Sequence, residues 1–336
     1  MIIAATLTLS SPSDPEKNMA RVIVTDASAY YAATSGNDDI EIHSVSPTAS
    51  RVVFAGLGDD FVRGSQNQDA LYGNDGNDTL YGKGGSDVVN GGAGNDFLSG
   101  GAGIDVLNEV SGDDIMYGGS GADYIIDWAD HLNDISDARS GNDLVYGGSG
   151  DDSVIVGGGD DLYVGGSGFD TLDFYGAKSG VAVDVSKGTA DGLGHDIIRG
   201  FEKFQGSSFD DSFKGSAKAE VIKGNGGNDK IRGLAGADTL TGGAGNDTFA
   251  YFKKDVGGLN GVDHITDFAL GDKLDLRDFF KGHAGAALDS MVHVTDDVAG
   301  STISLNVKGA FVDVAVLDNV HGSSAADMFA HGMLLT

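Results

Sequence analysis

The chain has 336 residues, a formal net charge of −30, 55 glycines and no cysteine. The lack of cysteine excludes disulfides and thiol chemistry, and the lack of a basic patch argues against a nucleic-acid partner. Only five of the 51 acidic residues are Glu, although a generally acidic surface would use Glu freely because Glu suits helices. The excess of Asp therefore indicates a specific use of short acidic side chains.

Residues 1–54 are interpreted as an N-terminal extension and a β cap. The apolar start lacks the basic region and cleavage site of a signal peptide, and both Met1 and Met19 are candidate start residues. No apolar run approaches the ~20 residues of a transmembrane segment. A cap is expected because an open sheet edge invites aggregation. Short strands are predicted at 21–24, 39–42 and 51–54.

Residues 55–126 divide into eight units of nine residues without slippage. The clearest unit, 91–99, reads Gly-Gly-Ala-Gly-Asn-Asp-Phe-Leu-Ser. The first six places are predicted to form a turn, because glycine tolerates positive φ angles. The last three are predicted to form a strand with the apolar eighth residue pointing inward. The sixth place always holds Asp: Asp60, Asp69, Asp78, Asp87, Asp96, Asp105, Asp114 and Asp123.

A two-residue insertion, Asp127-Trp128, interrupts the repeat. Removing it makes 129–137 a degenerate unit followed by four better ones, so the first roll is predicted to span 55–173 with a bulge at 127–128. Trp128 is interpreted as a plug at this bulge, with an exposed contact residue as the alternative. The later sixth places hold Asp134, Asp143, Asp152, Asp161 and Asp170.

The pattern stops at 174–205, which is predicted to be a β spacer with strands at 181–185 and 197–204. A second roll is predicted at 206–250. A C-terminal β-rich cap is predicted at 251–336, with a β-hairpin formed by 302–307 and 311–317 and a Ser-capped helix at 323–330. The sixth places of the second roll hold Asp211, Glu220, Asp229, Asp238 and Asp247.

These nonapeptides follow the pattern G-G-x-G-x-D-x-U-x, in which U is apolar, and the chain resembles the RTX (repeats-in-toxin) family. The resemblance implies an all-β fold, a parallel β-roll or β-helix solenoid that binds Ca²⁺ in its turns. It also implies export by a type I secretion apparatus and a secreted location, extracellular or at the cell surface. Residues 251–336 would then carry the uncleaved secretion signal, and a folded cap alone is the plainer alternative.

The spacing of the acids indicates how the metal would bind. Two units make one coil, so acids 18 residues apart are predicted to stack ~4.8 Å apart on one edge. Each adjacent pair, with turn carbonyls, would form an all-oxygen cage that favours several Ca²⁺ ions over zinc or copper. All the sixth-place Asp residues named above are therefore predicted calcium ligands, whereas a merely solvated acidic surface would not place Asp at every ninth position.

The same spacing predicts that folding depends on calcium. Two carboxylates at this distance repel by roughly 4 kcal/mol at an effective dielectric of 20. The metal-free chain is therefore expected to be largely disordered, and calcium is expected to drive folding.

No enzyme is predicted, because the sequence contains no HExxH, G-x-S-x-G or P-loop motif and its eight His residues are scattered. RTX enzymes carry a catalytic domain ahead of the rolls, and 54 residues are expected to be too few for one.

The predicted function is a non-catalytic structural component of the cell surface or extracellular matrix that self-assembles into homo-oligomers or filaments. The alternative is a soluble secreted effector or adhesin-like module that binds a host surface or a glycan. Candidate contact residues are the outward ninth-place Tyr72, Tyr81, Tyr117 and Tyr146, for which isolated surface positions are the plainer interpretation.

Overall fold

The computed structural model describes residues 6–7, 20–24, 30–33, 35–43, 50–127, 141–256, 261–282, 287–298, 300–318 and 320–336. Trp128, Asp134, both candidate start residues and the degenerate unit at 129–137 lie outside these ranges. The chain divides into two compact units, Met1–Leu172 with Leu193–Phe201, and Asp173–Gly192 with Glu202–Thr336. Within the described ranges, no helix is long and apolar enough to cross a membrane.

The first unit is built from short strands that alternate between two rows. Its strands are β1 (Thr6–Leu7), β2 (Ala20–Val24), β3 (Tyr30–Ala32), β4 (Asp38–Ile42), β5 (Arg51–Leu57), β6 (Phe61–Arg63), β7 (Asp69–Asp75), β8 (Thr79–Gly84), β9 (Val88–Ala93), β10 (Phe97–Ala102), β11 (Val106–Asn108), β12 (Ile115–Ser120), β13 (Tyr124–Ile126), β14 (Leu144–Ser149), β15 (Ser153–Ile155), β16 (Leu162–Ser167), β17 (Thr171–Asp173) at its end, and β20 (His195–Arg199). Even-numbered strands from β2 to β16 and then β20 pair in parallel, and odd-numbered strands from β3 to β15 form the second parallel row. Among the described strands of this unit, β1 alone runs antiparallel, against β2.

Consecutive coils are in register at a step of 18 residues. Leu98 lies opposite Leu80 in the coil before it and Met116 in the coil after it. All three side chains are completely buried, whereas the flanking seventh and ninth places are half-buried or exposed. The predicted coil length and the inward eighth place are therefore confirmed.

Several strands are longer than the three residues predicted. The strand β10 continues through the first glycines of the next unit to Ala102, and Gly101 pairs with Gly119 of the following coil. The backbone of these glycines is thus extended enough to join the sheet, and the true turn is shorter than six residues.

The step between coils is larger at the predicted insertion. Met116 pairs with Val145, and Ile125 pairs with Val154, a separation of 29 residues. The excess over a regular coil equals the two-residue insertion plus one nonapeptide. The units on either side are therefore direct neighbours in the two strand rows.

The second unit has the same two-row construction and a more varied C-terminal part. Its strands are β18 (Ala182–Asp184), β19 (Thr189–Asp191), β21 (Lys203–Gln205), β22 (Ser212–Lys214), β23 (Val221–Gly226), β24 (Lys230–Arg232), β25 (Thr239–Ala244), β26 (Thr248–Ala250), β27 (Asp263–Ile265), β28 (Lys273–Asp275), β29 (Val292–Asp296), β30 (Gly300–Val307), β31 (Ala310–Asp318) and β32 (Leu334–Leu335). Its helices are α1 (Lys253–Val256), α2 (Arg277–Phe280) and α3 (Ala325–Ala330), with a 3₁₀ turn at Leu288–Ser290. One parallel row contains β18, β22, β24, β26, β28 and β32, and the other contains β21, β23, β25, β27 and β31.

The predicted C-terminal elements are confirmed. The strands β30 and β31 form an antiparallel hairpin, and the Ser324 hydroxyl caps α3 by accepting the Asp327 N–H. The spacer differs from its prediction. The single strand predicted at 197–204 is two strands, β20 and β21, because Gly200 adopts a left-handed conformation (φ 70°) between them. The spacer therefore contributes one segment to each unit.

The regular secondary structure of both units is almost entirely β-strand, and most of those strands are parallel members of long rows. The predicted all-β parallel roll is confirmed.

Candidate metal centre

The sixth-place acids stack into columns along the edges of each unit. Nearly all of them are buried, with exposed fractions of 3% or less. In the first unit, column A contains Asp60, Asp78, Asp96, Asp114, Asp143 and Asp161, and column B contains Asp69, Asp87, Asp105, Asp123, Asp152 and Asp170. In the second unit, column C contains Asp211, Asp229 and Asp247, and column D contains Glu220 and Asp238. Asp134 lies outside the described residues.

One hydrogen bond repeats along every column. The backbone N–H of each acid donates to Oδ1 of the acid in the next coil. The N···O distance is 2.7 Å from Asp78 to Asp96 and 2.6 Å from Asp96 to Asp114. The same bond joins Asp114 to Asp143 at 2.6 Å, so column A is continuous across the 29-residue step.

The second carboxylate oxygen, Oδ2, faces into the turn. In the described chain, Oδ2 is buried without a hydrogen-bond partner in Asp60, Asp78, Asp87, Asp96, Asp105, Asp114, Asp123, Asp143, Asp152, Asp229, Asp238 and Asp247. A buried charged oxygen without a partner costs more than the ~1–3 kcal/mol of a neutral group. Repetition of this cost in turn after turn indicates a ligand that binds Oδ2.

Burial also shifts the proton equilibria of these acids. Desolvation, reinforced by Asp114 and Asp78, raises the pKa of Asp96 to about 8. Desolvation, reinforced by Asp105 and Asp69, raises the pKa of Asp87 to about 7. Both carboxylates therefore need either a proton or a cation near neutral pH.

Most of the described turns around these oxygens share one backbone conformation. In the unit 91–99, the second and fourth places, Gly92 and Gly94, have φ angles of 110° and 125°. The first place is glycine for a different reason, since a Cβ on Gly91 would lie 2.2 Å from Oδ2 of Asp96. Glycine thus keeps open the space that faces Oδ2.

Backbone carbonyls border the same space. A Cβ on Gly73 would lie 2.1 Å from Oδ2 of Asp78 and 2.4 Å from the carbonyl oxygen of Gly91 in the next coil. Carboxylate and carbonyl oxygens are the ligands that Ca²⁺ prefers. The donor set therefore fits calcium, and we call these the open turns.

Among the described residues, three turns are closed by a serine in the second place. The Ser65 N–H and hydroxyl both donate to Oδ2 of Asp69 at 2.8 Å. Ser207 bonds Asp211 in the same manner, with its N–H 2.7 Å from Oδ2 and its hydroxyl 2.8 Å from Oδ1, and Ser216 bonds Glu220. The second places of these serine turns also lack the positive φ of the open turns.

The columns extend beyond the acids found from the repeat. Asp38 and Asp161 donate their N–H groups to Asp60 and Asp196, and Asp238 and Asp247 donate theirs to the following acids of columns D and C. The separations of 22, 35 and 25 residues hide these members from a nine-residue register. Three of the added acids, Asp38, Asp196 and Asp263, end a short Gly-x-Asp motif. The added column members are Asp38, Asp196, Asp263 and Asp272.

Two more buried acids occupy first places, where glycine is the rule. Glu109 and Asp127 are completely buried and lie beside Asp143 of column A. The repeat gave no reason to consider them as ligands. The sequence signal that could have identified Glu109 and Asp127 is an acid at the first place of a nonapeptide, where glycine is the rule.

The outward aromatic residues are not isolated. Phe61, Tyr81, Phe97, Tyr117 and Tyr146 form a continuous ladder on the even-numbered row, with ring centroids 4.9–5.6 Å apart. On the odd-numbered row, Tyr72 stacks on Phe54 at 4.7 Å. Such cross-strand pairs stabilise a sheet by roughly 0.2–1 kcal/mol each.

Comparison with known proteins agrees with this geometry. The family model for the RTX calcium-binding nonapeptide repeat (4 copies) matches residues 52–80, 72–107, 111–130, 137–172 and 214–249. The nonapeptides of this chain are RTX calcium-binding repeats. These RTX segments cover most of both predicted rolls and include residues of all four columns.

A solved structure is also similar to part of the chain. It is the solution structure of the AlgE6R3 subunit from the Azotobacter vinelandii mannuronan C5-epimerase, which is 28% identical over 38% of this chain and 78% of that chain, with a TM-score of 0.17. No curated protein matches the chain.

Proposed function

We propose that this calcium-binding RTX protein is a secreted, non-catalytic structural component of the cell surface or extracellular matrix, whose rolls fold when calcium binds. The observation that carries the proposal is the repeated buried Oδ2 atom without a partner. A roll made of such turns has its folding free energy tied to the metal.

The ions are assigned to the open turns. There, Oδ2 of one acid and the carbonyls of adjacent coils border a space that first-place glycine keeps clear. Asp69 and Asp211 are members of columns B and C, but their second oxygens already bind serine. We therefore remove Asp69 and Asp211 from the predicted calcium ligands and expect these two positions to contribute little to calcium affinity.

Calcium dependence suits export through a type I apparatus. Calcium is scarce in the cytosol and abundant outside the cell, so the chain would remain unfolded before export and fold afterwards. The neutralisation of buried carboxylates by the ions supplies the physical switch, because their mutual repulsion opposes folding until cations bind.

A structural role is supported by the share of the chain that forms rolls and by the absence of known catalytic motifs from the sequence. Coil ends and flat rows of strands are natural surfaces for self-association. The aromatic ladder favours packing over sugar binding, because each ring packs against the next ring of the ladder. The alternative of a glycan-binding module therefore receives no support from these rings.

Two measurements test the proposal. Circular dichroism should show little β structure in excess chelator and a cooperative gain on adding calcium; a full β spectrum in chelator contradicts calcium-driven folding. Light scattering and electron microscopy at millimolar calcium should show homo-oligomers or filaments. A strict monomer there would remove the structural role and leave the calcium-dependent fold intact.

A further inference from the structure

Column A changes its construction at the 29-residue step. In regular coils, glycines such as Gly73 and Gly91 hold the first place, and the strands β7 and β9 continue through them. In the next two coils, Glu109 and Asp127 stand in the equivalent place, and β11 and β13 end immediately before them. Along column A, the strands thus stop short of the first place where two acids replace glycine.

The two acids point into the unit and form a cluster with Asp143. Glu109 and Asp127 have exposed fractions of 0% and Asp143 of 1%. Both carboxylate oxygens of Glu109, Oδ1 of Asp127 and Oδ2 of Asp143 have no hydrogen-bond partner in the described chain. One oxygen from each acid lies within 4.8 Å of the other two.

The electrostatic environment of Glu109 is acidic. Burial and, after it, the neighbouring charges led by Asp127 together raise the pKa of Glu109 to about 11. Three carboxylates this close repel strongly in a buried setting. The cluster therefore requires a compensating positive charge, supplied either by protons or by a metal ion.

Tyr163 holds Asp127 in the cluster. It occupies an eighth place, where the repeat is otherwise apolar, and its hydroxyl bonds Oδ2 of Asp127 and lies 2.9 Å from Oδ2 of Asp161. The Gly157 N–H donates to the same hydroxyl at 3.1 Å. A Cβ on Gly157 would lie 2.3 Å from Oδ1 of Asp127. Asp127 is thus anchored through Oδ2, and the space around Oδ1 is kept clear.

We propose that Glu109, Asp127 and Asp143 bind one Ca²⁺ in a site built from side-chain carboxylates, distinct from the turn sites of the RTX repeat. Calcium bonds to oxygen at 2.3–2.6 Å, so two oxygens on one ion lie up to about 5 Å apart, which agrees with the spacing of the cluster. Mg²⁺ requires shorter bonds and usually keeps several waters, so a fully buried set of carboxylates favours Ca²⁺.

This site would join the two ends of the insertion. Asp127 lies at the end of the coil before the 29-residue step, and Asp143 is the next described column member after that step. An ion shared by both would fix the coil before the insertion to the coil after it. The site rests on calcium binding by the roll, but it takes the place of the regular turn site at Asp143 and uses two ligands, Glu109 and Asp127, that the nonapeptide pattern does not specify.

The test compares ion number in matched variants by native mass spectrometry in excess calcium. Glu109→Gln and Asp127→Asn keep side-chain volume and remove one charge each, and both should bind one ion fewer than the unaltered chain. Glu202→Gln makes the same chemical change in the second unit and should retain the full number. An unchanged ion number in Glu109→Gln and Asp127→Asn means that protons neutralise the cluster and overturns the proposal. No bound calcium in any of the proteins would instead contradict the proposed function.

A measurement on the unaltered chain covers the case in which a variant fails to fold. Crystals grown with Tb³⁺ in place of Ca²⁺ should show an anomalous peak in contact with all three carboxylates, besides peaks at the open turns. Peaks at the open turns with none at the cluster exclude the site, whatever the variants do.

Discussion

Asp69 and Asp87 are neighbours in column B, yet their turns satisfy the buried carboxylate by different means. Both acids are buried, and the Asp69 N–H donates to Oδ1 of Asp87 at 2.7 Å. Oδ2 of Asp69 accepts two bonds from Ser65, whereas Oδ2 of Asp87 faces the space kept open by Gly82. In the serine turn, Ser65 therefore donates the hydrogen bonds that stabilise the buried carboxylate. The open turn must instead bind a cation from solution.

The serine turns lie at the start of each roll. Ser65 belongs to the second nonapeptide of the first roll, and Ser207 and Ser216 belong to the first two of the second roll. The first of these turns also lies beside Arg51, a buried guanidinium whose charge counteracts the rise in the pKa of Asp69. The buried acids in the first turns of each roll are thus partly stabilised without metal. These turns are therefore suited to template the following coils, which need calcium.

Calcium removal should give the largest contrast between the two kinds of turn. A single site at a hundredfold excess over its Kd contributes about 2.7 kcal/mol, so six such sites, at about 16 kcal/mol together, would exceed the 5–15 kcal/mol stability of a typical domain. Hydrogen exchange in chelator should show loss of protection over 73–126, with the slowest exchange that remains near the serine turns. Uniform exchange throughout both rolls would show that the serine turns have no independent stability.

Acid should partly replace calcium at the open turns. Burial raises the pKa of Asp96 to about 8 and that of Asp60 to about 7, above the value of ~4 in an unfolded chain. A raised folded pKa favours the folded state at low pH, and this contribution is lost as the pH rises through 7–8. Metal-free protein should therefore gain β structure by circular dichroism as the pH falls from about 8 to about 5. The opposite trend would exclude protonation of the columns as a folding force.

The calcium affinity should fall over the same range, because protons and Ca²⁺ compete for the same oxygens. Titration calorimetry at two pH values measures this directly, and proton release on binding should appear as a dependence of the heat on buffer ionisation enthalpy.

A matched pair of neutralising substitutions isolates a single turn of each kind. Asp96→Asn removes a charge from an open turn and should cost roughly 3 kcal/mol in calcium-loaded stability, as expected when one partner of a buried ionic contact is lost. Asp69→Asn changes a serine turn and should cost about 1 kcal/mol, with little change in the calcium midpoint. Equal shifts of that midpoint in the two variants would mean that Asp69 also binds the ion.

The regular coils were predictable because their signal is local and repeated. An apolar eighth place and an Asp at the sixth place recur in every unit of 55–126. From each unit alone, the apolar residue can be assigned to the core and the Asp to the turn. Column A across the insertion was not predictable in the same way. Which units become neighbours across the insertion depends on long-range strand pairing, and Met116 pairs with Val145 across 29 residues.

The repeat pattern also does not show which turns leave their carboxylate oxygen free to bind calcium. Ser65 and Gly92 occupy the same place in their units, but only the three-dimensional contacts show that Ser65 binds the acid that a calcium ion would otherwise bind. Glu109 looked like a departure from the consensus, and its meaning depends on Asp127 and Asp143, which come from other coils.

The smallest expected effect comes from Ser65→Ala, which addresses the serine turn itself. The substitution removes the hydroxyl donor and leaves the Ser65 N–H as the remaining bond to Oδ2 of Asp69. The cost should be about 1–2 kcal/mol, the value of a hydrogen bond to a charged group. Since no metal is involved, urea denaturation should give the same loss at low and at saturating calcium. The matched control is Ser99→Ala, at a half-buried ninth place between open turns, which should change stability by less than about 0.5 kcal/mol. A loss for Ser65→Ala that vanishes at saturating calcium would show that the ion can replace the serine, and the two kinds of turn would then differ in degree only.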